Sequence, residues 1–304
     1  MLFKKMRNKI ESKRGSKKIF WKFIVKIKDL FKHFFIYKYV FHPFIYLKFK
    51  YNYSQNKGKL PDFLIVGVQK GGTTSLWHHL RQHPDIEMSP NFQSKFFTRL
   101  MNRKEVHFFD NNKNWERGKR WYKALFNDNS KLQGEASPGY IFYAKSHERM
   151  AGVVPNVKII LILRNPVDRA YSAHKMFKDI YFKKFGKVNK ESFETLVKRK
   201  GIPHFLLERG FYINQIEGLL KYYPREQLLI LKSEEMRQDP LKVYKKVFDF
   251  LGVDHTKVKY DPHINAKKYS PMDEKTRKML IKKYLPYNKR LFKFLGYKIK
   301  GWEE

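Results

Sequence analysis

The sequence predicts an α/β protein in which a parallel sheet is flanked by helices, and three stretches carry that expectation. Phe63 to Val68 is an apolar, β-branched run of strand length without polar alternation, the pattern of a parallel strand buried on both faces. Val157 to Leu163 (VKIILIL) is a second such run, and Gln227 to Leu231 a third. Each leads into a segment with helical spacing, so strand and helix alternate through the chain.

The first unit holds the most chemistry. Lys70, Gly71, Gly72, Thr73, Thr74 and Ser75 follow the strand at once, and Thr73 or Thr74 can cap a helix that turns Leu76, Trp77 and Leu80 inward. Adjacent glycines let the backbone approach a bound group, the turn N–H groups and helix dipole favour an anion, and Lys70 adds a full charge. Such a turn expects a phosphate or a sulfate. Gly67 and Gly72 have the separation of the G-x-x-x-x-G-K-[ST] loop, but Thr73 stands where its lysine belongs and Lys70 precedes the glycine pair. The second strand ends in Arg164 where a magnesium-holding acid would stand, so the sequence predicts anion binding with no metal required.

After Arg164 the chain reads NPVDRAYSAHKM. Pro166 in the first turn, Asp168 early and Lys175 later make a helix start, and Ser172 two turns in can return toward the strand end. Ligands of open parallel sheets bind outside the carboxyl ends of the strands. Arg164 and Ser172 are therefore expected to form a second anion site in the crevice of Lys70.

Lys104 to Asp110 (KEVHFFD) reads as a strand with Glu105, His107 and Phe109 on one face and Val106, Phe108 and Asp110 on the other. A carboxylate and an imidazole two residues apart can both reach one substrate hydroxyl, as general-base chemistry requires. The plain alternative is an exposed edge strand. The polar stretch after His83-Pro84, as far as Arg103, suggests no element. Asn114 to Phe126 reads as a helix, Gly134 to Tyr140 (GEASPGY) as a turn and Ile141 to Met150 as a helix. Further helices are expected over Glu191 to Arg199, Gly210 to Tyr223, Pro240 to Leu251, Met272 to Lys283 and Asn288 to Leu295.

Composition limits the partners. The 304 residues include 65 Lys+Arg against 28 Asp+Glu, a formal +37, which favours nucleic acid, anionic lipid, a polyanionic glycan or a highly charged nucleotide. No helix-turn-helix, RNA-binding sheet signature or zinc spacing accompanies that charge, so no nucleic acid is expected. The absence of cysteine excludes disulfides and thiolate chemistry. Residues 1 to 58 carry a net +14 and interleave lysine with Phe, Tyr, Trp and Ile between Ile19 and Tyr53. Lys32, Lys38, Lys48 and Pro43 interrupt that run, so it resembles neither a spanning helix nor a signal peptide. The expectation is a basic aromatic extension on an anionic membrane surface, with a helix packed on the domain as the alternative. A domain boundary falls in the polar stretch Asn52 to Lys59, giving an extension over 1–58 and a domain over 59–304. The protein is expected to be cytoplasmic or peripheral to a membrane.

The K-G-G-T-T loop without a metal partner, followed by arginine and serine spaced R-x7-S, resembles the sulfotransferases that use 3′-phosphoadenosine 5′-phosphosulfate (PAPS). Within them the chain is most similar to the heparan sulfate glucosaminyl N- and O-sulfotransferase group. The likeness runs from about residue 60 to the end and includes GFY at Gly210 to Tyr212, SEEMRQDP after the third strand, FLGV at Phe250 to Val253 and KKYSP at Lys267 to Pro271. It implies a single sulfotransferase domain with a P-loop-like fold. It implies that Lys70, Gly71, Gly72, Thr73, Thr74 and Ser75 cradle the 5′-phosphosulfate and that Arg164 and Ser172 hold the 3′-phosphate. Tyr212 joins the cofactor-binding set, and Lys267 or Lys268 closes over the nucleotide. Glu105 inherits the catalytic base, with His107 as the other candidate and Lys70 stabilising charge on the transferring group. The acceptor would be a hydroxyl or amine, as on a glycan. One departure stands out: Ala136 replaces the lysine that glucosaminyl O-sulfotransferases carry there. A nucleotide kinase and a non-enzymatic polyanion or membrane binder are the rival readings.

Overall fold

The computed structural model describes residues 42–89, 105–186, 191–198, 205–258 and 270–303. Five parallel strands lie in the order β2-β3-β1-β4-β5. They are β1 (Phe63–Gly67), β2 (Ile86–Ser89), β3 (Leu132–Ala136), β4 (Lys158–Leu163) and β5 (Leu228–Lys232). Period-two alternation sends neighbouring residues of the central strands into two different cores. Leu64, Val66, Ile159, Leu161 and Leu163 pack with Tyr140, Tyr212, Ile216, Phe292 and Trp302 on one face. Phe63, Ile65, Ile160 and Ile162 pack with Leu76, Trp77, Leu80, Val247 and Phe248 on the other. Each fully buried side chain of this kind contributes about 1.5–3 kcal/mol. Both faces are therefore covered by helices, as the unbroken apolar runs predict.

The helices that bear on the site are α1 (His42–Ser54), α2 (Thr73–Leu80), α3 (Asn112–Trp115), α4 (Gly118–Lys123), α5 (Ala144–Val153) and α6 (Pro166–Phe185). With them are α7 (Phe193–Lys198), α8 (Tyr212–Leu219), α9 (Ser233–Gln238), α10 (Pro240–Leu251) and α11 (Glu274–Leu295). Pro240 to Leu251 forms as expected, capped by the Asp239 side chain accepting from the Lys242 N–H at 3.1 Å. Other boundaries differ. The helix expected over 114–126 is two short ones broken at Gly118, whose φ is 78°. The two C-terminal helices are one, with Pro286 inside it.

Two strands were not visible in the sequence. β2 lies in the unassigned stretch after His83-Pro84, and β3 replaces the turn expected at Gly134. β3 sits between β2 and β1, yet its side chains include Gln133 and Glu135, and both are buried. Partners inside the fold make this tolerable: Gln133 donates to Glu87 Oε2 at 3.1 Å and accepts from the Asn127 N–H at 3.2 Å. A strand whose polar groups are satisfied by neighbours remote in sequence has no local signature.

α1 lies against α4. Arg120 donates to the carbonyls of Tyr53 and Ser54 at 2.7 and 2.8 Å, and the half of α1 beyond residue 46 stacks Phe49 edge-on to Trp121. Among the described residues no helix is long and apolar enough to cross a membrane. Residues 1–41 lie outside the described set, as do Lys267 and Lys268.

Candidate active site

All strand carboxyl ends open on one edge, and the chain reverses its direction of strand addition around β1, between β3 and β4. That reversal defines the crevice where ligands of such sheets bind. Lys70 and Arg164 meet there: Arg164 Nη1 donates to the Lys70 carbonyl at 3.0 Å. Lys70 has φ 71°, a left-handed conformation that a residue with a Cβ holds only under constraint. The constraint is visible in the Gly71 N–H, which closes the turn on the Val68 carbonyl at 2.9 Å.

The helix cap differs from the expected one. Gly72, with φ 110°, stands at the N-cap, and neither Thr73 nor Thr74 caps with its side chain. The left-handed backbone at this position is what favours glycine, and a Cβ there would in addition displace the terminal methyl of Met236, 2.4 Å away. Thr73 thus begins the helix, and the first-turn N–H groups of Thr74 and Ser75 point along its axis toward the crevice.

Arg164 is held from behind. Tyr212, 1% exposed, donates its hydroxyl to the Arg164 carbonyl at 2.8 Å, so its tie to the site runs through that backbone. Burial, then the charge of nearby Arg237, pushes the Arg164 guanidinium below the usual arginine range. Arg164 Nε is buried without a hydrogen-bond partner among the described residues. A desolvated donor near a second cation suits a bound anion, although Asp168 and Glu234 offset part of that charge. Ser172 is buried in the second turn of α6 and makes no hydrogen bond to Arg164.

Glu105 and His107 do come together, but not as a strand. The segment is an irregular loop running into a turn, with His107 at φ 52°. Phe108 and Phe109 enter the same core, whereas strand alternation would send them to opposite faces, and Phe108 lies flat on Tyr122 with centroids 4.2 Å apart. The turn brings in Asp110, which the strand reading placed on the opposite face. His107 Nε2 meets Glu105 Oε2 at 2.8 Å, and Nδ1 meets Asp110 Oδ2 at 3.0 Å. An imidazole between two carboxylates is a clamp. Burial disfavours the imidazolium, but hydrogen bonds and charge from Asp110 and Glu105 outweigh it and raise the His107 pKa to about 10. His107 is accordingly a cation at neutral pH.

That clamp has a pH signature. A raised histidine pKa stabilises the fold fully below the ordinary value of 6.5 and loses that contribution as pH climbs through about 10. The melting-temperature gap between the protein and His107→Gln should therefore narrow steadily between those limits. A gap that stays constant or widens would contradict the clamp.

A buried carboxylate supports the loop from below. Glu135, wholly inaccessible at the β3 end, accepts from Ser137 Oγ at 2.6 Å, from the Tyr140 hydroxyl at 2.7 Å and from the Tyr122 hydroxyl. Ser137 Oγ in turn accepts from the Val106 and His107 N–H groups at 3.1 and 3.0 Å, and the Tyr140 hydroxyl accepts from the Phe108 N–H at 2.8 Å. Burial raises the Glu135 pKa, opposed by the hydroxyl hydrogen bonds. Gly139 completes the support, since a Cβ there would lie 2.1 Å from Asp110 Oδ2. Asp110, Glu135, Ser137 and Tyr140 are thus site residues that the sequence reading missed. The E-x-H-x-x-D spacing could have flagged Asp110, because residues three apart converge only if the chain turns.

The fold and edge together define a P-loop-like α/β protein whose strand ends hold a cationic glycine turn, a half-buried arginine and a histidine-clamped carboxylate. The chain belongs to the sulfotransferase family: residues 60–300 match the family described as Sulfotransferase domain. It is 32% identical over 285 residues to the human bifunctional heparan sulfate N-deacetylase/N-sulfotransferase 3, covering 80% of this chain and 31% of that protein. The match to mouse heparan sulfate glucosamine 3-O-sulfotransferase 6 is 28% over 238 residues, 72% of this chain and 60% of the relative. A crystal structure of a sulfotransferase from Alicyclobacillus acidocaldarius superposes with a TM-score of 0.62 at 28% identity, over 80% of this chain and 99% of that one. The α/β expectation, the P-loop-like fold and the resemblance to the heparan sulfate group are borne out. The chain spans about a third of the length of the bifunctional relatives it matches.

Proposed function

We propose that this chain transfers a sulfuryl group from PAPS to a hydroxyl or amine of a glycan acceptor. The observation that carries the reading is the placement of the histidine-clamped Glu105 on the same sheet edge as the joined Lys70 and Arg164. The family match and the names of the heparan sulfate relatives support donor and acceptor class. Lys70 and the start of α2 would face the 5′-phosphosulfate, and Arg164 with Ser172 the 3′-phosphate, whose charge would answer the unpaired Arg164 Nε. The acceptor forms its bond to sulfur as the sulfur–oxygen bond to the 5′-phosphate breaks. Glu105 takes the acceptor's proton, because His107 already carries one at neutral pH and its cation holds the carboxylate in place. Lys70 and the α2 N–H groups meet the charge that develops on the leaving oxygen. The domain over 59–304 would do this chemistry, and the basic extension before it would rest on an anionic membrane surface.

The test is stabilisation by adenosine 3′,5′-bisphosphate in the presence of a chelator. At a hundredfold excess over its dissociation constant the melting temperature should rise by about 5 °C or more. Arg164→Ala should weaken that binding by about tenfold and leave nucleotides lacking a 3′-phosphate nearly unaffected. Greater stabilisation by ATP with magnesium would replace this reading with a kinase.

A further inference from the structure

The loop after β3 leads into an exposed aromatic cluster beside the clamp. A Cβ added at Gly139 would lie 2.1 Å from Asp110 Oδ2 and 3.9 Å from Tyr143 Cε2, so the edge of that ring lies within about 6 Å of the carboxylate of the clamp. The Arg209 guanidinium sits 4.4 Å from the Phe142 ring centroid and 5.3 Å from that of Tyr143, and donates to the Tyr143 hydroxyl at 3.1 Å. The Phe205 ring packs on Phe142 with centroids 5.3 Å apart. Phe205 is 53% exposed and held at φ 52°, so a strained backbone presents an apolar ring to solvent. Arg209 forms no contact-distance ion pair among the described residues, the Asp110 charge reaching it only from farther off, and its Nε is buried without a hydrogen bond. Burial pushes its pKa down, which a bound anion would relieve.

We propose that Arg209, Tyr143, Phe142 and Phe205 form the acceptor subsite, an aromatic ledge for a sugar ring with a guanidinium for that sugar's carboxylate or sulfate. The assignment rests on the proposed glycan acceptor and names where that acceptor lies. Ring faces pack against the C–H face of a pyranose, and the stacked guanidinium, with Nη2 on the Tyr143 hydroxyl, keeps Nη1 for an anion. An acidic oligosaccharide is the occupant that fits, because the chain carries +37 and the Arg209 guanidinium of the ledge forms no ion pair among the described residues. Its position beside Asp110 puts it at the proton-accepting end of the site, away from the Lys70–Arg164 contact that marks the nucleotide.

The experiment measures steady-state transfer from labelled PAPS to a uronate-bearing heparan-type octasaccharide, using the full chain. Arg209→Gln should raise the octasaccharide KM about tenfold, and Phe205→Ala, which removes no hydrogen bond, should raise it several-fold. Both should keep kcat within about threefold, and both should keep the inhibition constant of adenosine 3′,5′-bisphosphate. Lys298→Ala, a surface change at 81% exposure, should leave KM unchanged and so control for general charge. Unaltered KM in both ledge variants would overturn the subsite while leaving the glycan reading intact. A parallel loss of bisphosphate affinity would assign the ledge to the nucleotide and also overturn it. No transfer to the octasaccharide by the unaltered protein, with bisphosphate binding retained, would overturn the glycan reading and the subsite with it.

Discussion

Glu105→Gln should lower turnover by about 10²- to 10⁴-fold while bisphosphate affinity stays near its original value. The amide keeps the shape of the carboxylate and can still face His107 Nε2, but it accepts no proton. Asp110, the carboxylate with the larger hold on the imidazole, stays in this variant and keeps the His107 proton, which opposes its taking over the role. His107→Ala should then act less severely, by releasing the carboxylate from the 2.8 Å contact that orients it. The pH dependence separates the two: an acidic limb of kcat/KM should persist in the His107 variant and vanish in Glu105→Gln. Full activity in Glu105→Gln with none in His107→Ala would transfer the base to the imidazole.

The second large effect is expected at a residue that touches no substrate. Glu135→Ala leaves the hydroxyls of Ser137, Tyr140 and Tyr122 without their common acceptor in a site that water does not reach. Each stranded buried hydroxyl costs about 1–3 kcal/mol, so a loss of roughly 3 kcal/mol or more and a fall in melting temperature of about 6–12 °C are expected. The same change frees the hydroxyls that hold the Val106, His107 and Phe108 N–H groups, so turnover should fall by about tenfold to a hundredfold even where the variant is fully folded. Tyr122→Phe makes the contrast. It removes one donor to Glu135 without an anchor to the loop, and should cost about 1 kcal/mol with little change in turnover. Folded Glu135→Ala with unchanged kcat would show that the network serves stability alone.

The central strands, the glycine turn and the arginine after β4 were legible because each is local: an apolar run, a pair of glycines, a cation at a strand end. Glu105 and His107 were legible as a pair but not in their geometry. Alternation suggested a strand, whereas the left-handed backbone at His107 folds the segment so that both Phe108 and Phe109 enter the core and Asp110 returns to the ring. β3 was illegible for a related reason. Its Gln133 and Glu135 look like turn residues until Glu87, Asn127, Tyr122 and Tyr140, all distant in sequence or on other elements, satisfy them. Local pattern reports local structure, and a buried polar strand is made possible by tertiary partners.

The reaction proposed for this chain is metal-independent sulfuryl transfer with Glu105 as the base. Its most direct test is transfer of ³⁵S from labelled PAPS to a heparan-type oligosaccharide in the presence of excess chelator, with Glu105→Gln run alongside. Label should pass to the oligosaccharide at an undiminished rate in chelator and fall by at least about a hundredfold in the variant. Transfer that stops in chelator, or that continues unchanged in Glu105→Gln, would rule that reaction out.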